Sequence, residues 1–192
     1  MQGIDRFIET DTKAAYINQL LRVGFDSIDF GSFVSPKAIP QMRDTAEVLA
    51  KLDLSGTTTK LLAIVANERG ALDACRHPEI QYLGYPFSIS ETFQLRNTNA
   101  TIAESVERTK SIQELCEKYG KQLVLYISMG FGNPYGDPWN VEIVQRWVDV
   151  LAPYGIRIFS LSDTIGCSNP QNISYLFGNL ISAYPDIEFG AH

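Results

Sequence analysis

Residues 156–166 read Ile156-Arg157-Ile158-Phe159-Ser160-Leu161-Ser162-Asp163-Thr164-Ile165-Gly166, and the change of character part-way along decides how the chain folds. The first half is mostly apolar and β-branched, as a buried strand is, and the second breaks into Ser-Asp-Thr and then Ile-Gly. A strand that ends this way places a carboxylate and two hydroxyls at its carboxyl end, where α/β proteins do their chemistry. Asp163 is therefore the first candidate for a functional side chain. As a cap for the helix expected from Pro170 it would lie about seven residues too early.

The same signature recurs outward from this stretch. Residues 25–30 are an expected strand with Asp29, Gly31 and Ser32 at its end, 60–66 end at Asn67, and 80–86 run into Ser88, Ser90 and Glu91. Residues 122–128 end in Ser128, and 187–191 stop at His192. Apolar residues at helical spacing fill the intervals: 10–23, 40–52, 68–75, 101–119 before Gly120, 141–151 and 170–184. Alternation without hairpins means a parallel sheet.

Polar residues at every strand end suit an α/β (β/α)8 TIM barrel, which assembles its site from all its strands, better than an open sheet with one crevice. A full barrel takes about 250 residues and eight strands. The 192 residues are expected to form one domain, an incomplete barrel holding about strands two to seven. Its outermost strands, 25–30 and 187–191, should then be open edges that do not pair with each other.

Composition narrows the function classes. Hydrophobic residues make up 45% and charged residues 20%, as in a folded globular protein, so disorder is excluded. A net charge of -6 without a Lys/Arg cluster argues against a nucleic-acid surface. No apolar run approaches the ~20 residues that span a bilayer and no signal-peptide pattern opens the chain, so no membrane partner and a cytoplasmic location are expected. Cys75, Cys116 and Cys167 are too few and scattered for a disulfide framework or a zinc site.

Phosphate-loop, dinucleotide and nucleophile-elbow patterns are missing, which weakens kinase and hydrolase readings. The stretch Met129-Gly130-Phe131-Gly132-Asn133-Pro134-Tyr135-Gly136-Asp137-Pro138 is a turn-rich loop whose glycines would permit close approach of a ligand. Carboxylates, hydroxyls, an amide and an imidazole at one end of a barrel can hold a divalent cation or an anionic substrate.

Several motifs, in order along nearly the whole chain, resemble 3-hydroxy-3-methylglutaryl-CoA lyase. They are Ser32-Phe33-Val34-Ser35-Pro36-Lys37 with Pro40-Gln41-Met42, Ser90-Glu91-Thr92-Phe93, Gly132-Asn133-Pro134-Tyr135, Ser162-Asp163-Thr164-Ile165-Gly166, and Gly190-Ala191-His192. The first is quite specific to that lyase; Asp-Thr-Ile-Gly is shared with related metal-dependent aldolases and acyl-CoA condensing enzymes. The resemblance implies a carbon-carbon lyase that cleaves an acyl-CoA substrate with a divalent cation, Mg2+ or Mn2+, and forms a homodimer at full length.

By the same resemblance His192 is a metal ligand and Asp163 an active-site carboxylate. Asp29 stands where the family usually has Glu, one methylene longer. Ser32, Ser90, Tyr126 and Thr164 match the substrate pocket, and Met129 replaces a frequent Cys. The Arg-Asp pair, the second His and the Asn of the family's metal site have no match in these 192 residues, which implies an inactive piece of the enzyme. Two other classes are a condensing enzyme of the isopropylmalate or homocitrate synthase type, and a non-catalytic remnant.

Overall fold

The computed structural model describes Met1 and Gly3–His192. Helices and strands alternate: α1 (Thr10–Leu21), β1 (Ser27–Phe33), α2 (Thr45–Leu49), β2 (Lys60–Val65), α3 (Glu68–Cys75) and β3 (Ile80–Ser88). There follow α4 (Glu91–Thr98), α5 (Ile102–Tyr119), β4 (Gln122–Ser128), α6 (Val141–Leu151), β5 (Ile158–Leu161), α7 (Pro170–Ala183) and β6 (Glu188–Ala191). The six strands form one sheet in the order β1-β2-β3-β4-β5-β6, and every neighbouring pair is parallel. β1 and β6 are its edges and do not pair with each other, as expected for an unclosed barrel.

Alternation along the strands divides the sheet into two faces. Leu61, Ala63 and Val65 of β2, with Leu83, Tyr85 and Phe87 of β3, enter the main core beneath the helices. The opposite face carries a smaller cluster of Leu62, Tyr82, Val124 and Tyr126, flanked by Ile64 and Ile158. That second cluster is the inner lining of the curved sheet. It is slightly more open than the helix side because no further strands close over it.

The helices start where side chains can satisfy their first N–H groups. Asn67, Ser90, Asn140 and Asn169 each accept from a backbone N–H in the first turn of α3, α4, α6 and α7. Thr101 and Glu104 form a reciprocal capping box on α5, and Gly120 ends that helix in the left-handed region at φ 66°.

The expected helix 40–52 is instead a short 3-10 turn, Pro40–Met42, followed by α2. The reason is a buried polar knot. Lys13 of α1 is 2% exposed, and its ammonium donates to the Gln41 carbonyl and to Asp44 at 2.6 Å, while Thr10 donates to the other Asp44 oxygen. Gln41 in turn holds the N-terminal segment, donating to the carbonyls of Ile4 and Arg6 and accepting from Ile8. A regular helix through 40–44 would withdraw Gln41 and Asp44 from these partners. Burial pushes the Asp44 carboxyl up, but the Lys13 ammonium and the Thr10 hydroxyl more than offset it, so the group stays below its ordinary value.

Candidate active site

At the carboxyl ends of the strands the sheet encloses a cavity of about 930 Å3. Its polar side is built from Asp29 and Ser32 of β1, Tyr126 and Ser128 of β4, Ser162, Asp163 and Thr164 after β5, and His192 after β6. Val34, Ala38, Ile39 and Met42 form an apolar wall. The wall is carried by the loop that leads into the Lys13–Asp44 knot, so the knot fixes one side of the cavity.

Asp29 and Ser32 lie three residues apart, a spacing that normally puts side chains on opposite faces of a strand. The β1–β2 register shifts between Asp29 and Gly31, so a bulge at Phe30 resets the alternation and both residues reach the cavity. Among the described residues the buried Ser32 hydroxyl has no hydrogen-bond partner, which leaves it free for a ligand.

Desolvation pushes the Asp29 carboxyl from 3.8 up to about 6, the Gly31 N–H offsetting part of the effect. Its surface is nevertheless open, because the cavity in front of it is wide while protein surrounds it on the remaining sides. Ionised Asp29 therefore opposes folding: the fold gains most below the unfolded value near 3.8, and that gain is lost as pH rises through about 6. Asp29→Asn should raise Tm by roughly 2–4 °C at about pH 8 and leave it unchanged at about pH 3, the solvent access of the group limiting the gain. Equal shifts at both pH values in thermal melts would contradict this origin.

Asp163 has the opposite environment. Its carboxylate accepts from the backbone N–H groups of Cys167 at 2.8 Å and Ser168 at 3.0 Å, closing the turn it begins. Donation from Ser168 and then Cys167 holds its pKa below the ordinary value. The cap reading fails, since Asn169 caps α7, but the carboxylate is engaged by its own loop while it lines the cavity. Its backbone N–H donates to the His192 carbonyl at 2.9 Å, and the His192 N–H donates to Leu161 at 2.9 Å, so the two residues are locked side by side.

Tyr126 lies beneath them, its ring edge-on to the His192 imidazole with centroids 4.9 Å apart. Burial and then the nearby Asp29 charge push its phenol well up, so it stays a hydrogen-bond donor. The Thr164 hydroxyl accepts from the Met129 N–H at 2.8 Å and stabilises that residue in the left-handed region, φ 59°.

Not every strand-end polar residue enters the cavity. Asn67 caps α3; Ser90 caps α4 and donates to Asp137; Glu91 accepts from the Ile102 N–H. Ser90 is thus placed at a helix terminus and is not among the residues that line this cavity. The loop 129–138 starts against the cavity-lining residues Ser162 and Thr164, and its far end is tied to α4: Asp137 accepts from Ser90 and from the N–H and hydroxyl of Thr92, and Trp139 donates to the Gly130 carbonyl. Donation from Ser90 and then Thr92 keeps Asp137 ionised below its usual range.

The sequence reading missed Asn97 and Thr98, which line the cavity from the end of α4. Gln94, buried behind them, accepts from the Ser88 N–H and donates to the Thr98 hydroxyl.

For a divalent cation, the Asp29 carboxylate and the His192 imidazole have suitable donor chemistry. Among the described residues, however, no three His, Cys, Asp or Glu side chains come together as a metal-binding group. The oxygens of Asp163 each accept one backbone N–H from its own loop. These residues alone do not complete a cation site.

The HMGL-like family model matches residues 1–192. The chain belongs to the HMGL-like family. It is 33% identical over 192 residues to a hydroxymethylglutaryl-CoA lyase of Bacillus subtilis, covering 100% of this chain and 64% of that protein. Over 195 residues it is 31% identical to a 3-hydroxy-3-isohexenylglutaryl-CoA/hydroxy-methylglutaryl-CoA lyase of Pseudomonas aeruginosa, covering 63% of it. The crystal structure of the Bacillus subtilis HMG-CoA lyase superposes with a TM-score of 0.92 at 32% identity, over 100% of this chain and 63% of that one. An HMG-CoA lyase from Acinetobacter baumannii, solved with coenzyme A and 3-methylmalate, gives 0.89 at 29% identity over 98% and 61%.

The HMGL-like chain thus spans about two thirds of the length of its relatives. It has their α/β TIM-barrel fold over six consecutive strands and resembles HMG-CoA lyases in both sequence and structure. Among the described residues no helix is long and apolar enough to cross a membrane.

Proposed function

We propose that this chain carries part of the active site of a carbon-carbon lyase that cleaves 3-hydroxy-3-methylglutaryl-CoA to acetyl-CoA and acetoacetate. The observation that carries this reading is the meeting of Asp29, Tyr126, Asp163, Thr164 and His192 in one strand-end cavity of an HMGL-like chain. In the cleavage, a base takes the proton of the tertiary hydroxyl, the oxygen's electron pair forms the ketone, and the carbon-carbon bond breaks. Its electrons pass to the thioester enolate, which then takes up a proton.

Environments that separate the pKa values of two carboxyl groups separate their tasks. Asp29, pushed up to about 6, is suited to accept and return a proton near neutral pH. Asp163, kept ionised by backbone donors, is suited to orient its surroundings without titrating. Ser32, Tyr126 and Thr164 supply hydroxyls to the polar end of the acyl group, and the wall from Val34 to Met42 faces its apolar parts.

A divalent cation would supply polarisation of substrate oxygens when bound. We assign it His192 as one ligand, with donors beyond the 192 residues needed to complete the set. The chain alone is accordingly proposed to be inactive, and the acyl-CoA is its proposed partner.

The reading is tested by joining the chain to the strands that close the barrel in its relatives and assaying acetoacetate release from the thioester. Release of free CoA from acetyl-CoA and a 2-oxo acid, without cleavage, would replace it with the condensing reaction. In the cleaving protein Asp163→Asn should lower turnover by ~10²-fold, the loss of one charge-stabilising group. A variant as active as its parent would remove Asp163 from the site.

A further inference from the structure

Gly84 lies on the inner face of β3, between Ile64 of β2 and Val124 of β4 in the register of the sheet. On the inner faces of the neighbouring strands stand bulky side chains, and Gly84 is where they converge. A Cβ at this position would lie 2.7 Å from Ile64 Cδ1, 2.7 Å from Tyr126 Cε2 and 3.0 Å from Leu62 Cδ2. All three distances are too short for carbon–carbon contact, whose optimum is about 3.5–4.0 Å. The backbone of Gly84 does not need the left-handed region, since Gly84 is not among the residues with positive φ. What the site requires is the missing side chain.

The space serves one ring in particular. Tyr126 leans over Gly84 from β4, is 8% exposed, and presents its ring edge to the His192 imidazole. It lines the cavity beside Asp29 and His192. We propose that Gly84 is a positioning residue: by leaving this space it lets Tyr126 lie low in the barrel, where the ring supports the His192 imidazole and floors the cavity. The inference rests on the reading of Tyr126 and His192 as functional residues but concerns their placement, which is measurable without turnover.

A methyl group at 84 has three ways to fit, and they differ in consequence. Ile64 and Leu62 belong to β2, on the side of Gly84 away from the imidazole, so yielding by them leaves the His192 ring undisturbed, although Ile64 also lines the cavity. Tyr126 belongs to β4, on the side of Gly84 toward His192, so displacement of its ring is the response that reaches the imidazole it contacts. Small steric insertions of this kind typically force side-chain shifts in packed interiors.

The test uses the 192-residue chain, with NMR signals of the His192 imidazole as the geometric readout and binding of 3-hydroxy-3-methylglutaryl-CoA as the second. Gly84→Ala should move the His192 ring signals, through the changed ring current of Tyr126, and weaken thioester binding about tenfold. In a Tyr126→Leu background the same substitution should cause no further movement, because the effect travels through that ring. Unmoved His192 signals in Gly84→Ala, or a shift that persists without the tyrosine, overturns the proposal.

Should Gly84→Ala fail to fold, adding Tyr126→Leu restores folding and adding Ile64→Val does not; any other outcome of that pair also overturns it. If the unsubstituted chain binds no thioester, the lyase reading loses its support while the NMR comparison still decides the role of Gly84.

Discussion

The 192-residue chain alone should release no acetoacetate from 3-hydroxy-3-methylglutaryl-CoA above the background seen with chelator. A catalytic cation in an oxygen and nitrogen site needs several protein donors, and affinity falls steeply as they are removed. Asp29 and His192 are two, Asp163 is committed to its own loop, and no third metal-capable side chain joins them among the described residues. Joining the chain to the closing strands should raise turnover by more than ~10²-fold, since polarisation of substrate oxygens by a cation contributes several kcal/mol. Mn2+ titration followed by relaxation measurements gives an independent check, with binding by the chain alone weaker than that of the closed barrel. Chelator-sensitive cleavage by the unextended chain would refute the argument.

Lys13→Met should cost about 3 kcal/mol of stability, equivalent to a Tm roughly 6–12 °C lower for a domain of this size. The substitution leaves the Asp44 carboxylate, itself 5% exposed, with Thr10 but without its cation, and frees the Gln41 carbonyl. The lower end of the range for breaking a buried pair applies because the N-terminal segment, with Phe7 stacked on Lys13 and Arg43, is part of what covers the knot. Removing both charges with Lys13→Met and Asp44→Leu should regain most of the loss. Urea unfolding of the three chains checks this, and a double variant no more stable than the single one would show that the charges hold the fold by more than their mutual pairing.

How much of this was legible in the residues depended on whether one force acted alone. The strand Gln122–Ser128 and the helices Glu68–Cys75 and Val141–Leu151 have the bounds that apolar spacing and end signals suggest, because burial and local capping agree there. The segment 40–52 does not, because Gln41 and Asp44 serve a partner some thirty residues away in sequence, which no local pattern records. The helix Glu91–Thr98 was passed over because only polar Gln94 is buried along it; Ser90 before it and Asn99 after it, at φ 51°, were the available signals.

For the site, the position of strand-end residues was readable and their engagement was not. Asp29, Ser32, Tyr126, Thr164 and His192 do face one cavity with Asp163. That Asp163 is held by Cys167 and Ser168, or that Ser90 belongs to a helix start and to Asp137, depends on loop geometry that composition leaves open. The bulge at Phe30 was equally silent, although it is what brings Ser32 to the same face as Asp29. Gly31, whose added Cβ would meet Thr45 at 2.8 Å, marked the place without explaining it.

The identity of sheet order and chain order carries a consequence for how the molecule comes into being. Each strand docks only on the strand completed just before it, so a growing chain can add β2 to β1, then β3, and so on, without waiting for distant sequence. Emergence from the ribosome and spatial assembly can thus proceed in the same direction. The four-residue β6, paired on one side only among the described residues, should be the first part to exchange its amide hydrogens and the first to peel away under mechanical load.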